Sequence, residues 1–175
     1  MKCALCCTKC GRQLRTFTRK YRCTRCGRVY CSDCIQELSV SKNIMAKLRL
    51  VEGFVEPEKS MWKGYVLCPQ CSVGFNQEVR KMSDALNNCG DVELVSINYK
   101  GRKRYWGNPI SIKTQFYKER AEAEKELQTL ARYYGCDMVI NVERHREEED
   151  EETDSGGTYT YSVWSYSGKA VRRVY

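Results

Sequence analysis

Four Cys-x-x-Cys pairs limit what this chain can fold into more than any other feature. They are Cys7 with Cys10, Cys23 with Cys26, Cys31 with Cys34, and Cys68 with Cys71. Eight thiolates are enough for two tetrahedral zinc sites with four sulfur ligands each. The first two pairs nearly repeat each other, as CTKCGR at 7–12 and CTRCGR at 23–28. Two intervening residues let both sulfurs of a pair lie on one side of a tight turn. The glycine that follows, Gly11 or Gly27, supplies the positive φ with which the backbone folds back around a metal. A site closed by four protein sulfurs has no open position for water, so the expected zinc is structural and no enzyme activity is expected from it. Cys3 and Cys6 make an overlapping pair, but Cys7 and Cys10 match the repeat and carry the glycine. Cys3 and Cys6 are therefore expected to be thiols outside the sites.

The surrounding composition favours metal over disulfides. The chain holds 12 cysteines in 175 residues, and its opening MKCALCCTKC lacks the apolar core of a secretory leader. In a reducing compartment paired knuckles read as metal sites. No apolar run reaches the ~18 residues that span a bilayer. An intracellular, cytoplasmic protein is expected, soluble or peripheral on membranes. The net charge of +8 is unevenly placed: residues 1–71 carry 14 Lys and Arg against 5 Asp and Glu, and the remainder is close to balanced. From Lys9 to Arg28 there are eight basic residues and no acidic one. Each zinc with four thiolates is formally −2, so part of this charge balances the metal sites. The excess faces phosphate-bearing partners. His145 is the only histidine, which leaves no Ser-His-Asp or Cys-His set to assemble.

Taken in order, GRQLRTFTRKYR between the first two knuckles suits an exposed loop and a short basic strand, and Val29 and Tyr30 suit strand and core. Ile35 and Leu38 read as a short helix continuing from the third knuckle. Ser41 caps a helix that places Ile44, Met45 and Leu48 on one face. Gly53 and Pro57 end it, and residues 62–67 (WKGYVL) read as a strand delivering the fourth pair. Phe75, Val79, Met82 and Leu86 recur at helical spacing, with Gly90 as the stop. Domains of 1–90 and 91–175 follow. The second half reads as α+β, an antiparallel sheet with one main helix. Its strands are expected at 92–100, 110–117, 136–142 and 158–166, with a final one at 170–174 after a break at Gly168. Its helix spans 118–134, with Ala123, Leu127, Leu130 and Tyr134 as the apolar stripe. The acidic run 147–154 is expected as a mobile hairpin loop. Cys89 and Cys136 read as small buried hydrophobes, and His145 as a surface residue at a strand end.

The spacing Cys-x2-Cys-x12-Cys-x2-Cys-x4-Cys-x2-Cys, then Cys68-x2-Cys71 and a helix, resembles a FYVE-type zinc finger over the first 90 residues. That resemblance implies a small treble-clef fold with a C-terminal helix and cross-braced metals. Cys7, Cys10, Cys31 and Cys34 would hold one Zn2+, and Cys23, Cys26, Cys68 and Cys71 the other. It also implies binding of phosphatidylinositol 3-phosphate on endosomal membranes. Of the family's lipid motif, Arg19 and Lys20 are kept; Tyr21 and Arg22 replace two histidines, and Thr24 an arginine. The implied contact surface is Arg12, Arg15, Phe17, Arg19, Lys20, Arg22 and Arg25, with Phe17 where that family carries its membrane-inserting loop. RAEAEKELQTLARYYG (120–135), CDMVINVE (136–143) and SGKAV (167–171) resemble the α+β domains of the YbjQ-like heavy-metal-binding family. The fold is implied there but not the metal, since only Cys136 and His145 are soft ligands.

The expected function is a non-catalytic zinc-binding adaptor. The finger would bind acidic membrane lipid, a phosphoinositide among them, or a protein partner, and the second domain would dock or oligomerise. Two other classes fit parts of the pattern. One is a RING-like ubiquitin-type ligase, which shares the cross-brace; the other is a nucleic-acid-binding finger using the basic run.

Overall fold

The computed structural model describes residues 6–15, 17–57, 59, 64–101, 104–153 and 156–174. Cys3, Trp62 and Lys63 lie outside them. Residues 1–80 and 81–175 pack as two units. The helix α2 (Pro69–Asn87) begins in the first and ends in the second, three residues before Gly90.

In the first unit the two repeated knuckles fold alike. The first cysteine's N–H donates to the carbonyl five residues on, Cys7 to Arg12 and Cys23 to Arg28, both at 2.9 Å. The glycine N–H then closes on that cysteine's carbonyl, at 2.9 Å for Gly11 and 2.8 Å for Gly27. This closure needs the left-handed backbone that glycine supplies, with φ of +71° and +69°. The second knuckle is the turn between β1 (Tyr21–Arg22) and β2 (Val29–Tyr30), which pair antiparallel. Thr8 clips the first knuckle to β2, its N–H and hydroxyl both donating to the Val29 carbonyl at 2.9 Å.

The third pair sits on a 3₁₀ turn, Ser32–Cys34. The helix expected to continue through Ile35 and Leu38 does not form. Ile35 is extended, and β3 (Gln36–Leu38) pairs antiparallel with β4 (Tyr65–Leu67). A helix of so few residues cannot repay its own nucleation, whereas a ladder with β4 satisfies the same backbone groups. That pairing also sets Cys68, the residue after β4, beside the third knuckle's strand. The helix α1 (Lys42–Leu48) starts as expected, with Ser41 Oγ accepting from the Ile44 N–H at 3.3 Å. Met45 and Leu48 are buried, as are Tyr65, Leu67 and Phe75. The rings of Tyr65 and Phe75 lie 5.6 Å apart.

The second unit is a four-stranded sheet with α3 (Arg120–Tyr133). Its strands are β5 (Glu93–Ser96), β6 (Tyr105–Lys113), β7 (Met138–Glu152) and β8 (Thr158–Arg173), in the order β5-β7-β8-β6. The sheet is mixed rather than antiparallel, because β5 and β7 run parallel. Between them the chain lays down β6 and α3, a crossover long enough to bring β7 back in the direction of β5. The apolar stripe of α3 is buried at Ala123, Leu127 and Leu130, and Tyr134 is half-buried.

Two further expectations are corrected. The acidic run is not a loop: Glu147 to Glu152 continues β7, each residue paired with one of Thr158 to Val163. The partner strand TYTYSV has high β propensity and templates the pairing. Side chains add to it, with the Thr160 hydroxyl donating to Asp150 at 2.6 Å, Tyr161 to Glu149 at 3.0 Å, and Lys118 reaching Glu151 at 3.0 Å. Strand β7 ends at Glu152 and β8 begins at Thr158, with Gly156 at φ +81° between them and Asp154 outside the described residues. Nor does Gly168 break a strand, since it lies inside β8 opposite Ile112 of β6. A Cβ there would stand 2.6 Å from Val139 Cγ1 and 3.2 Å from the Ile140 carbonyl oxygen. The glycine is there because β7 comes that close.

Candidate metal centres

The knuckles, the 3₁₀ turn and the start of α2 gather eight cysteines into two tetrads: Cys7, Cys10, Cys31 and Cys34 in one, and Cys23, Cys26, Cys68 and Cys71 in the other. Within each, all four Sγ atoms lie within 4.8 Å of one another. This is the interleaved grouping that the FYVE resemblance implies. Cys10 and Cys31 Sγ are 3.8 Å apart, and Cys26 and Cys68 Sγ are 3.9 Å apart. A tetrahedron with Zn–S of about 2.3 Å has S···S edges of about 3.8 Å, so the residues fit Zn2+. A disulfide would bring sulfurs to about 2 Å. Each tetrad can hold one Zn2+. Among the described residues no other group gathers three metal ligands: Cys136 is buried, and His145, half-buried in mid-strand rather than at a strand end, bonds Ser167 at 3.0 Å.

The thiols are unequal before a metal arrives. Burial pushes the Cys7 thiol up, but the backbone N–H groups of Cys10, Cys31 and Lys9 outweigh it and bring it down to about 6. Cys34 is pushed up to about 12 by its contact with the Cys31 sulfur and by burial. The second tetrad repeats the split. Burial raises Cys68, but the Tyr30 hydroxyl and the Cys71 N–H hold it down at about 6, while burial and the Cys68 sulfur push Cys71 up to about 12. Four thiolates cannot all ionise side by side without a cation, and each site releases protons when it takes one. Tyr30 was legible in the sequence only as a core position. Its hydroxyl's role toward Cys68 arises from the β1–β2 pairing, which no local motif encodes.

A FYVE zinc finger domain protein, UPA1 of Mycosarcoma maydis, is 39% identical to this chain over 64 residues. The match covers 36% of this chain and 4% of that protein, so the chain spans a small part of its relative's length. No family model and no solved structure matches the chain. The FYVE-finger homology and the two tetrads together fit a zinc finger in the N-terminal region.

The basic residues singled out from the sequence divide in two. Arg15, Arg19, Lys20 and Arg22 are exposed and have no ion-pair partner among the described residues, and Phe17 is 100% exposed. Arg12 is exposed but paired with Asp33 at 2.7 Å, and the guanidinium holds that carboxyl below its usual range. Arg25 is drawn into the finger itself. Its guanidinium bonds Glu78 at 2.7 Å and lies 5.9 Å and 5.7 Å from the ring centroids of Phe54 and Phe75. It belongs to the packing of α2, not to an exposed contact surface. No helix among the described residues is long and apolar enough to cross a membrane.

Proposed function

We propose that the N-terminal unit is a FYVE-like treble-clef finger, acting as a non-catalytic adaptor that docks on an acidic membrane surface. The treble-clef reading is supported by the Cys23–Cys26 knuckle on the β1–β2 turn and by Cys68 and Cys71 at the start of α2. The observation that carries the membrane reading is Phe17. Its ring is wholly exposed between Arg15 and Arg19, with Lys20 and Arg22 following. An apolar ring held in water among bases suits a loop that enters the headgroup boundary while the bases meet anionic lipid. Burying such a ring is worth about 1.5–3 kcal/mol, and each base near an anionic surface about 1 kcal/mol. With Tyr21 and Arg22 where FYVE fingers carry histidines, binding is led by charge, weakened by salt, and only secondarily selective for the 3-phosphate. The second unit serves docking or oligomerisation.

Flotation of the zinc-loaded chain with neutral, anionic and phosphoinositide-doped vesicles tests this. Anionic vesicles carry the protein up and neutral ones do not. Phe17→Ser lowers partitioning by about tenfold or more, in line with loss of one buried ring. A protein that stays at the bottom with every vesicle refutes membrane docking and points to a protein partner.

A further inference from the structure

The second unit holds a cluster of cations that none of the foregoing uses. Trp164, in β8, is approached by three guanidiniums. The Cζ atoms of Arg120, Arg144 and Arg146 lie 3.9, 5.3 and 5.7 Å from its ring centroid. The topology explains the convergence. The β7–β8 register sets Arg146 directly opposite Trp164 and Arg144 opposite Tyr166, one diagonal step away. On the other side Tyr117 bridges to Trp164, and three residues later Arg120 opens α3.

This grouping is electrostatically strained. The distances to the shared centroid leave any two of these carbons no more than about 11 Å apart, close to the Debye length of about 8–10 Å, so the like charges repel and salt screens that only in part. Arg120 also occupies the first position of a helix, where the partial positive charge of the terminus disfavours a cation. The N-cap residue, Glu119, makes no side-chain cap bond. Nearby acids only partly compensate. Glu148 bonds Arg146 at 2.9 Å, and Glu124 accepts from the Tyr166 hydroxyl at 2.8 Å. Among the described residues Arg120 and Arg144 have no carboxylate within ion-pair distance. All three arginines are exposed. Each guanidinium lies within cation–π distance of the indole, which gives it some attraction to the ring.

From this geometry we infer that Arg120, Arg144 and Arg146, ordered on Trp164 beside the uncapped start of α3, form a binding site for a phosphate-bearing anion. A phosphate offsets the three positive charges, accepts charge-assisted hydrogen bonds from the guanidiniums, and is favoured by the partial positive charge of the helix start. The site is independent of the zinc finger and of its proposed membrane contact.

The test uses the full zinc-loaded chain with Trp62→Phe and Trp106→Phe, so that Trp164 is the single indole reporter. Inorganic pyrophosphate is titrated while Trp164 emission is followed. A saturating change is expected. Arg120→Gln and Arg144→Gln each weaken it about tenfold, as loss of a charge-assisted bond predicts. Arg144→Lys restores part of the loss, because an ammonium lacks the fork, and Lys125→Gln, an exposed lysine of α3, changes nothing. A second arm replaces pyrophosphate with vesicles bearing a phosphorylated inositol lipid, in a Phe17→Ser background that removes the finger's contribution. Saturation by the soluble anion assigns a free phosphate ligand, and saturation by the vesicles alone assigns a lipid headgroup. If Trp164 responds to neither, or if Lys125→Gln weakens the response as much as the arginine variants, the site is refuted and the arginines are packing for the indole only. Unchanged melting of the glutamine variants confirms that any loss is of binding and not of fold.

Discussion

Gly168→Ala probes the closest approach in the second unit's sheet. The added methyl would stand 2.6 Å from Val139 Cγ1 and 3.2 Å from the Ile140 carbonyl. Val139 is fully buried, so it has no room to swing aside. Backbone strain is not involved, since Gly168 is not among the glycines with positive φ. Overpacking of a close contact costs about 1–3 kcal/mol. Against it, alanine reduces the freedom of the unfolded chain, which returns about 0.4–1 kcal/mol. A net destabilisation of about 1–2 kcal/mol is expected, read as a Tm lowered by roughly 4–16 °C for a unit of this size. Thermal unfolding followed by near-UV signals of β8 measures it. Gly90→Ala is the control. Nothing lies within 4 Å of a Cβ there, so only the entropic gain operates and stability is unchanged or slightly raised. Val139→Ala in the same chain as Gly168→Ala removes the clashing methyl, and the double mutant should recover part of the loss as a coupling energy. If Gly168→Ala melts at or above the wild-type temperature, close packing does not explain this glycine, and a strand break at 168 becomes the better account.

Zinc occupancy separates the interleaved tetrads from a sequential pairing. Cys10→Ser with Cys31→Ser strikes one tetrad and should leave one Zn2+ by native mass spectrometry, whereas Cys10→Ser with Cys26→Ser strikes both and should leave none; the reverse pattern would overturn the interleaving. A strong chelator should abolish the finger's circular dichroism, because so small a unit folds with its metal. Metal uptake should release protons, which buffer-dependent calorimetry detects, and affinity should fall as pH falls, because Cys34 and Cys71, pushed up to about 12, are protonated below that pH and the metal must displace their protons against a rising proton concentration. Glu126 is 2% exposed, and its carboxyl accepts from the Gln115 N–H at 2.7 Å and the Tyr117 hydroxyl at 2.5 Å. Glu126→Ala should cost about 2 kcal/mol or more by denaturant melting, since it leaves two donors without their acceptor; a neutral result would mean that water replaces the carboxyl.

The sequence alone determined what is encoded within a few residues. Two residues between cysteines and a glycine after them dictate a knuckle wherever they occur, so CTKCGR and CTRCGR were legible as twin turns. Ser41 before Ile44, Met45 and Leu48, and the 3.6-residue stripe of α3, were legible for the same reason: cap and period are properties of one segment. Tertiary structure decided whatever depends on a distant partner. The acidic run repels itself in isolation and reads as a loop, but it is a strand because TYTYSV lies opposite it. The direction of β5 relative to β7 depends on the path of the forty-odd residues between them. Arg25 looked like one more base in a basic run, and only the placement of Glu78, Phe54 and Phe75 turned it inward. Arg120, Arg144 and Arg146 are scattered over a helix start and a strand, and they become one cluster because the β7–β8 register and the Tyr117 bridge bring them to a single indole. Chain-local geometry is fixed by sterics and hydrogen bonds between near neighbours. Long-range pairing is fixed by which surfaces are buried together, and no window of sequence contains both sides of that choice.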